Sequence, residues 1–280
     1  MKKNKFYIAT NCIFIAASIF FFAHLVFCTS KSIKYAIFFV PQAIFVHFLK
    51  AFRLRLLLTG EKIELRRYIK IFCKTAIISV LLPFKSGELF RIYSFALLTK
   101  KGVKGTAIIL LDRFSDLAAL LVIFAIFKFS SGVDFNFVFY VSASFEAIIF
   151  LLYLVMPEIL FYWHEYLMSA EATRQHFKEL SFVAVLRFVH SEIKKLAKGK
   201  FFAMFFISLL AWITEISALI FSLRTFSDEI PSVFSKYLFS ALTGKDFLQQ
   251  KLFVFTSVMI LGIVCAFSKI RTDKIGGEEK

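Results

Sequence analysis

Apolar runs of about twenty residues recur along the whole chain, with short polar stretches between them. A helix of about 20 residues crosses the hydrocarbon core of a bilayer, so runs of this length are typical of membrane spans. Of the 280 residues, 59% are hydrophobic, which is more apolar surface than a soluble core can absorb. The sequence therefore predicts an all-α, polytopic membrane helix bundle. We expect six full spans, at about 6–27, 33–49, 106–129, 135–155, 201–223 and 252–267.

Basic residues lie mainly between the apolar runs, and they give the chain a formal net charge of +16. This placement follows the positive-inside rule and favours anionic lipid head groups over nucleic acid as the contact. We expect a prokaryotic plasma (inner) membrane protein with both termini in the cytoplasm. The basic stretch 50–74 is also expected there, either as an interfacial helix or as a solvated loop, and 157–200 as amphipathic helices.

No polar stretch is long enough for a soluble catalytic module, so we expect a single membrane domain over residues 1–280. Within it, residues 1–130 form a first half and 201–269 carry the C-terminal spans. The four cysteines are scattered without a CxxC pair, and the histidines lack metal-ligand spacing. We therefore predict neither a metal site nor a cofactor, and the sequence leaves the oligomeric state open.

The apolar stretch 75–98 has basic residues on both flanks. If both flanks face the cytoplasm, the stretch cannot cross the membrane once. Pro83 and Gly87 break the helix near its middle, and broken backbone at membrane depth is tolerated where it is buried or lines water. We expect a re-entrant hairpin of two half-helices, with a single tilted helix as the alternative. The less hydrophobic piece 227–245, which contains Pro231, leaves a second hairpin open, so we expect one or two in all.

Ionisable residues fall at membrane depth in this hairpin and in the span that follows it. Such groups are costly in lipid and usually face a bundle interior or a wet cavity. Arginine can clamp a phosphate with two hydrogen bonds, and the amides that open a half-helix attract anions. The acids could neutralise these cations or hold an amine. The predicted substrate-binding residues are Lys85, Ser86, Gly87, Glu88, Arg91, Asp112, Arg113 and Asp116.

Spacing within this set indicates two helical pairs, Glu88 with Arg91 and Arg113 with Asp116, each three residues apart on one helix face. Two interpretations stay open: the pairs hold the hairpin to the next span, or they also contact a substrate. Further acids and a basic residue are expected around the site rather than in it, namely Arg53, Glu146 and Glu215. No catalytic residue is predicted.

Three motifs resemble a known family, the membrane region of lysylphosphatidylglycerol synthases, also called flippase-like domains. They are Leu82-Pro83-x-x-x-Gly87-Glu88-x-x-Arg91, Gly102-Val103-Lys104-Gly105-Thr106-Ala107 and Asp112-Arg113-x-x-Asp116, and the stretch with Arg53 and Arg55 is similar too. The resemblance covers residues 1–130. In the second half, the Gly-rich hairpin ending in Glu that many relatives have is missing.

The resemblance implies a stand-alone membrane unit that moves charged phospholipids or polyprenyl-phosphate-linked sugars between leaflets, without the family's aminoacyltransferase domain. The expected partner is a membrane lipid with an anionic or zwitterionic head group. Glycan- or lipid-assembly enzymes remain open as protein partners, and nucleic acid is not expected. Two alternatives also remain: a membrane-embedded transferase acting on a lipid-linked sugar, and a non-catalytic scaffold. A transporter is favoured over an enzyme.

Overall fold

A computed structural model describes residues 16, 19–20, 33–81, 86–131, 137–169, 173–223 and 256–265. Nearly all of these residues are helical, and no strand occurs among them. The helices are α1 (Ile33–Leu57), α2 (Leu65–Leu81), α3 (Ser86–Thr99), α4 (Gly102–Ser131), α5 (Phe137–Ser169), α6 (Arg174–Ala197), α7 (Phe201–Leu223) and α8 (Thr256–Cys265). The predicted all-α class is confirmed.

Within these ranges, one helix is long and apolar enough to cross a membrane by itself, Phe139–Ser169 in α5. A second candidate arises if two helices that meet at a bend of 73°, Gln175–Ala197 and Phe201–Ser217, count as one span. Six spans therefore stay a prediction. The first predicted span lies almost entirely outside the described residues, and the segment 227–245, for which a second hairpin is left open, lies wholly outside them.

Two helix ends differ from the sequence prediction. The span expected to end near residue 49 continues as α1 to Leu57, so the basic stretch 50–74 is not one interfacial helix or loop. Leu54, Leu57 and Leu58 are fully buried, and this apolar packing carries the helix past its charged residues. Likewise α5 runs through Pro157 to Ser169, so the polar segment expected from 157 begins inside a continuous helix.

The chain divides into two compact units, each considered by itself. Unit 1 comprises residues 1–52, 62–94 and 210–280, and unit 2 comprises 53–61 and 95–209. The prediction of one membrane domain over residues 1–280 stays a prediction.

In unit 2, α4, α5 and α6 pack against one another. Rings of α4 and α5 meet at Phe114 with Phe150 and at Phe124 with Phe139, which makes these helices antiparallel. The α5–α6 contact is built from Leu160, Leu167 and Val183, with Met156, Leu180 and Leu186 around them. These contacts set which residues of α4 and α6 lie beside each residue of α5.

Basic residues join three chain segments at one end of unit 2. Lys104 at the start of α4 donates to Glu61, at 2.5 Å, and Lys200 before α7 donates to Thr59. The hydrogen bond from Lys104 lowers the pKa of the Glu61 carboxyl below its ordinary value. Since Glu61 precedes α2 and Lys104 follows α3, the chain between them leaves this point and returns to it.

The length of α5 predicts where its aromatic end lies. Its 33 residues extend about 50 Å, whereas the hydrocarbon core is about 30 Å thick. If its apolar first part fills the core, Trp163 lies at head-group level. The chain has two tryptophans, so Trp212→Phe isolates Trp163. In bilayers containing spin-labelled lipids, we expect a head-group label to quench Trp163 more strongly than a deep acyl-chain label.

Trp163→Phe is the matched control, because it leaves the buried Trp212 of α7. We expect that residue to be quenched less by the head-group label than Trp163 is. Stronger quenching of Trp163 by the deep label would show that this part of α5 lies within the hydrocarbon.

Candidate functional site

A buried guanidinium joins three chain segments of unit 2, one each from α1, α4 and α7. Arg53 of α1 donates from Nε to Oδ1 of Asp112, at 2.8 Å, and from Nη1 to Oδ1 of Asp116, at 2.5 Å. The same Nη1 donates to Oγ of Ser208 on α7. We call these four residues the Arg53 centre. Arg53 is 2% exposed and Asp112 fully buried, so both charges of this pair lie inside the protein.

The spacing on α4 explains how two carboxylates reach one arginine. Asp112 and Asp116 are four residues apart, which places them one above the other on the same helix face. Ser115 lies between them in sequence and is also buried, with its hydroxyl 3.3 Å from that of Ser208. Ser208 in turn donates to the carbonyl of Met204, one turn earlier on α7. The α4 face toward Arg53 is thus polar within an otherwise apolar helix.

Charge balance keeps this arrangement stable. A buried charge without its partner is strongly destabilising, typically by about 3–5 kcal/mol. Arg53 and Arg113 supply two positive charges, and Asp112 and Asp116 supply two negative ones. The four side chains together are therefore neutral.

Arg113 differs from Arg53 in its exposure. Its side chain is 41% exposed, whereas that of Arg53 is 2% exposed. Its guanidinium lies 3.9 Å from Oδ2 of Asp112 and 3.8 Å from Oδ2 of Asp116, which is ion-pair range but beyond a normal hydrogen bond. Arg113 is thus the arginine of this group whose side chain is accessible from outside the protein.

A second charged pair lies in unit 1, where α2 and α3 meet. Glu88 accepts a hydrogen bond from Ser79 at 2.7 Å, and its other oxygen lies 3.9 Å from Nη1 of Arg91. Arg91 is 6% exposed. Gly87 makes the meeting possible, because a Cβ there would lie 2.3 Å from the Cα of Ser79. The predicted break lies between α2, ending at Leu81, and α3, beginning at Ser86.

The other acids predicted around the site have separate environments. Glu215 of α7 pairs with Lys50 of α1 at 3.2 Å, and the ammonium of Lys50 lies 5.5 Å from the ring centroid of Trp212. Glu146 of α5 is 8% exposed. Lys50 and Trp212 were not predicted from the sequence. The predicted span ends near residue 49, so Lys50 falls just outside it. Because α1 continues to Leu57, Lys50 lies within the helix and pairs with Glu215.

The structure thus brings Asp112, Arg113 and Asp116 together, with Arg53 at their centre rather than around them. Glu88 and Arg91 form their own pair in unit 1. Lys85 and Pro83 lie outside the described residues, as does the side chain of Ser86. In the part of the chain that is described, no group of three or more histidine, cysteine or acidic side chains is placed to hold a metal ion.

The family described as the lysylphosphatidylglycerol synthase TM region matches residues 11–244. The match includes both charged groups and extends well beyond the first 130 residues, where the motifs lie. No curated protein and no solved structure matches the chain at a significant level. The family resemblance predicted from the motifs is confirmed.

The contact at Gly87 can be tested by adding one methyl group. Gly87→Ala would place its Cβ against the backbone of Ser79, so α2 and α3 would have to separate. We expect a loss of about 1–3 kcal/mol, as for other overpacked sites. Thermal unfolding in detergent measures it. Gly102→Ala is the control, since its Cβ would meet nothing within 4 Å. Equal stability of the two variants would contradict the close approach.

Proposed function

The chain belongs to the lysylphosphatidylglycerol synthase TM-region family, and on that premise we propose that it moves a charged lipid between the two leaflets of a membrane. It is a membrane protein, and its family points to a role related to membrane lipids. The substrate class we propose is a charged phospholipid or a polyprenyl-phosphate-linked saccharide.

The observation that carries this proposal is a buried Arg53 centre whose charge is balanced by the accessible Arg113. A lipid head group needs partners for its charge while it passes hydrocarbon, because an unpartnered charge there is costly. Arg113 offers a guanidinium that can form two parallel hydrogen bonds with a phosphate. Its side chain is 41% exposed, so a phosphate can reach it without unfolding the Arg53 centre.

The Arg53 centre would keep its structure while Arg113 leaves the two aspartates and binds a phosphate. When Arg113 turns to a phosphate, Asp112 and Asp116 keep the hydrogen bonds from Arg53. Neither carboxylate is then left without a positive partner. The bound phosphate compensates Arg113, and the Arg53 centre, with one guanidinium and two carboxylates, then carries one net negative charge.

We also propose the membrane arrangement that the sequence predicts: six full spans, a re-entrant hairpin formed by α2 and α3, and both termini in the cytoplasm. The hairpin is supported by the contact of Lys104 with Glu61, which returns the chain to its starting point. The 14 residues of α3 would extend about 21 Å, less than the hydrocarbon thickness. A prokaryotic plasma membrane is the proposed location.

A transferase acting on a lipid-linked sugar is the second candidate. It needs an acid or base that can reach a sugar hydroxyl. Asp112 is fully buried and bonded to Arg53, which makes it unsuited to that role. A scaffold, the third candidate, would need the charges of the Arg53 centre for folding but not the exposed charge of Arg113. Changing Arg113 alone therefore distinguishes a scaffold from a transporter.

Arg113→Gln should slow lipid movement while leaving the fold intact. The purified protein is reconstituted in liposomes with a fluorescent anionic phospholipid or, separately, a short polyprenyl-phosphate sugar. Leaflet exchange is followed by dithionite quenching. Loss of a hydrogen bond to a charged group is worth about 1.5–3 kcal/mol, so we expect exchange to slow by about 10- to 100-fold.

Arg187→Gln is the matched control, because Arg187 is an exposed arginine on α6. It should exchange lipid as the wild type does. Unchanged exchange in Arg113→Gln would remove Arg113 from the lipid path. Absence of exchange of either lipid by folded wild-type protein would overturn the proposed translocation and favour the transferase or the scaffold.

A further inference from the structure

An ammonium group, an indole ring and a carboxylate meet in unit 1. The Nζ of Lys50 on α1 donates to Oε2 of Glu215 on α7 at 3.2 Å, and it lies 5.5 Å from the ring centroid of Trp212. Trp212 and Glu215 are three residues apart, so they are neighbours on one face of α7. We call these three residues the Lys50 site.

The Lys50 site has the chemistry that binds the ammonium group of a ligand. The face of an indole ring attracts cations, and aromatic rings hold the ammonium groups of choline and methyl-lysine in this way. A carboxylate supplies the opposite charge and accepts a hydrogen bond from an amine. In this structure the ammonium at the ring belongs to the protein itself. Lys50 therefore fills a position that also suits the ammonium of a ligand.

The exposure of the three side chains indicates how a ligand would reach this position. The side chain of Lys50 is 25% exposed, whereas that of Glu215 is 9% exposed and Trp212 is buried. The acid and the ring thus lie inside the protein, and the lysine reaches them from its surface. Because lysine has a flexible four-carbon stem, its ammonium can move outward while α1 stays in place.

Trp212 carries a hydrogen-bond donor that the lysine does not use. Its Nε1 is buried and has no hydrogen-bond partner among the described residues. Buried donors normally have an acceptor, and leaving one without it is costly. An oxygen atom of a bound head group would supply that acceptor. This observation, independent of the ion pair, indicates a ligand.

The sequence places the Lys50 site at membrane depth. Trp212 and Glu215 fall inside the predicted span 201–223, and Lys50 directly follows the predicted span 33–49. Ionisable groups within a membrane are costly and commonly mark the path of a substrate. A ligand at this depth would be a lipid, since a soluble amine would have to leave water to reach it.

We propose that the Lys50 site binds the head group of a zwitterionic lipid, with its ammonium on Trp212 and Glu215 and its phosphate on Lys50. The ammonium of the lipid replaces that of Lys50, and the lysine turns to the phosphate of the same head group. The short ethanolamine link lets one head group meet both partners. Each of these charges keeps a partner of opposite sign. The proposal concerns binding and goes beyond the proposed function, because it does not require that the bound lipid crosses the membrane.

Charge balance determines which head groups the site disfavours. An anionic phosphate without an amine pairs with Lys50 only by drawing it away from Glu215. Glu215 is 8% exposed, and a buried carboxylate that loses its cation is strongly destabilising. The Lys50 site therefore favours a zwitterionic head group over an anionic one.

Lipid competition tests this selectivity. The purified protein is placed in micelles with equal amounts of phosphatidylethanolamine and phosphatidylglycerol that share the same acyl chains, and native mass spectrometry identifies the bound lipid. We expect the ratio of bound phosphatidylethanolamine to bound phosphatidylglycerol to be about tenfold lower in Glu215→Gln than in the wild type, as expected for loss of a hydrogen bond to a charged group. Glu61→Gln is the matched control, because Glu61 is also an acid paired with a lysine. It should keep the wild-type ratio.

A neutral double variant keeps the test decisive if the single change disturbs folding. Lys50→Met combined with Glu215→Gln removes both charges of the pair, so neither is left without the other. We expect this variant to lose the preference for phosphatidylethanolamine as well. If the pair only holds α1 to α7, the double variant changes stability in thermal unfolding but leaves the lipid ratio as it is.

The outcomes decide the proposal without any transport assay. A wild-type lipid ratio in folded Glu215→Gln or in the double variant would overturn it. Soluble glycerophosphoethanolamine, added at the concentration of the lipid, should not compete. Binding of this soluble compound as tight as that of the lipid would overturn the assignment to a membrane lipid. Since leaflet exchange is not measured, failure of the proposed translocation would leave these results standing.

Discussion

The hydrogen bonds from Arg53 to Asp112 and Asp116 are the interaction on which unit 2 depends. Three chain segments meet there, from α1, α4 and α7, in the interior of an apolar helical protein. Each charge would be costly alone, and together with Arg113 the group is neutral. This neutrality lets a membrane protein keep an arginine next to a surface that lipid can reach.

The sequence predicts the helical class, most helix positions and the charged pairs, because long apolar runs and spacings of three or four residues have direct structural meaning. It predicts a bend near Pro83 to Gly87 for the same reason: proline and glycine end helices locally. The sequence predicts Arg53 around the site rather than at its centre, because the partners of Arg53 lie 59 and 63 residues away. Long-range pairing of this kind leaves no local pattern.

The predicted helix ends are limited in the same way, because they also depend on contacts between residues far apart in the sequence. Charged residues normally mark the end of a span, so the sequence predicts residues 50–57 outside the second apolar run, 33–49. In the folded chain, Leu54, Leu57 and Leu58 pack inside, and Arg53 is paired there. A signal was present in the sequence, since these leucines follow helical spacing beyond the predicted end. Its meaning depends on α4 supplying two aspartates, which the stretch itself cannot reveal.

A double-mutant cycle on Arg53 and Asp112 tests the central claim, that a buried and internally neutral cluster holds unit 2 together. Arg53→Met leaves one excess negative charge and Asp112→Asn one excess positive charge, while the double variant is neutral again. Unfolding of all four proteins in mixed detergent micelles gives the coupling. We expect the double variant to be more stable than the sum of the single losses predicts, by about 1–3 kcal/mol. Additive losses would contradict the account.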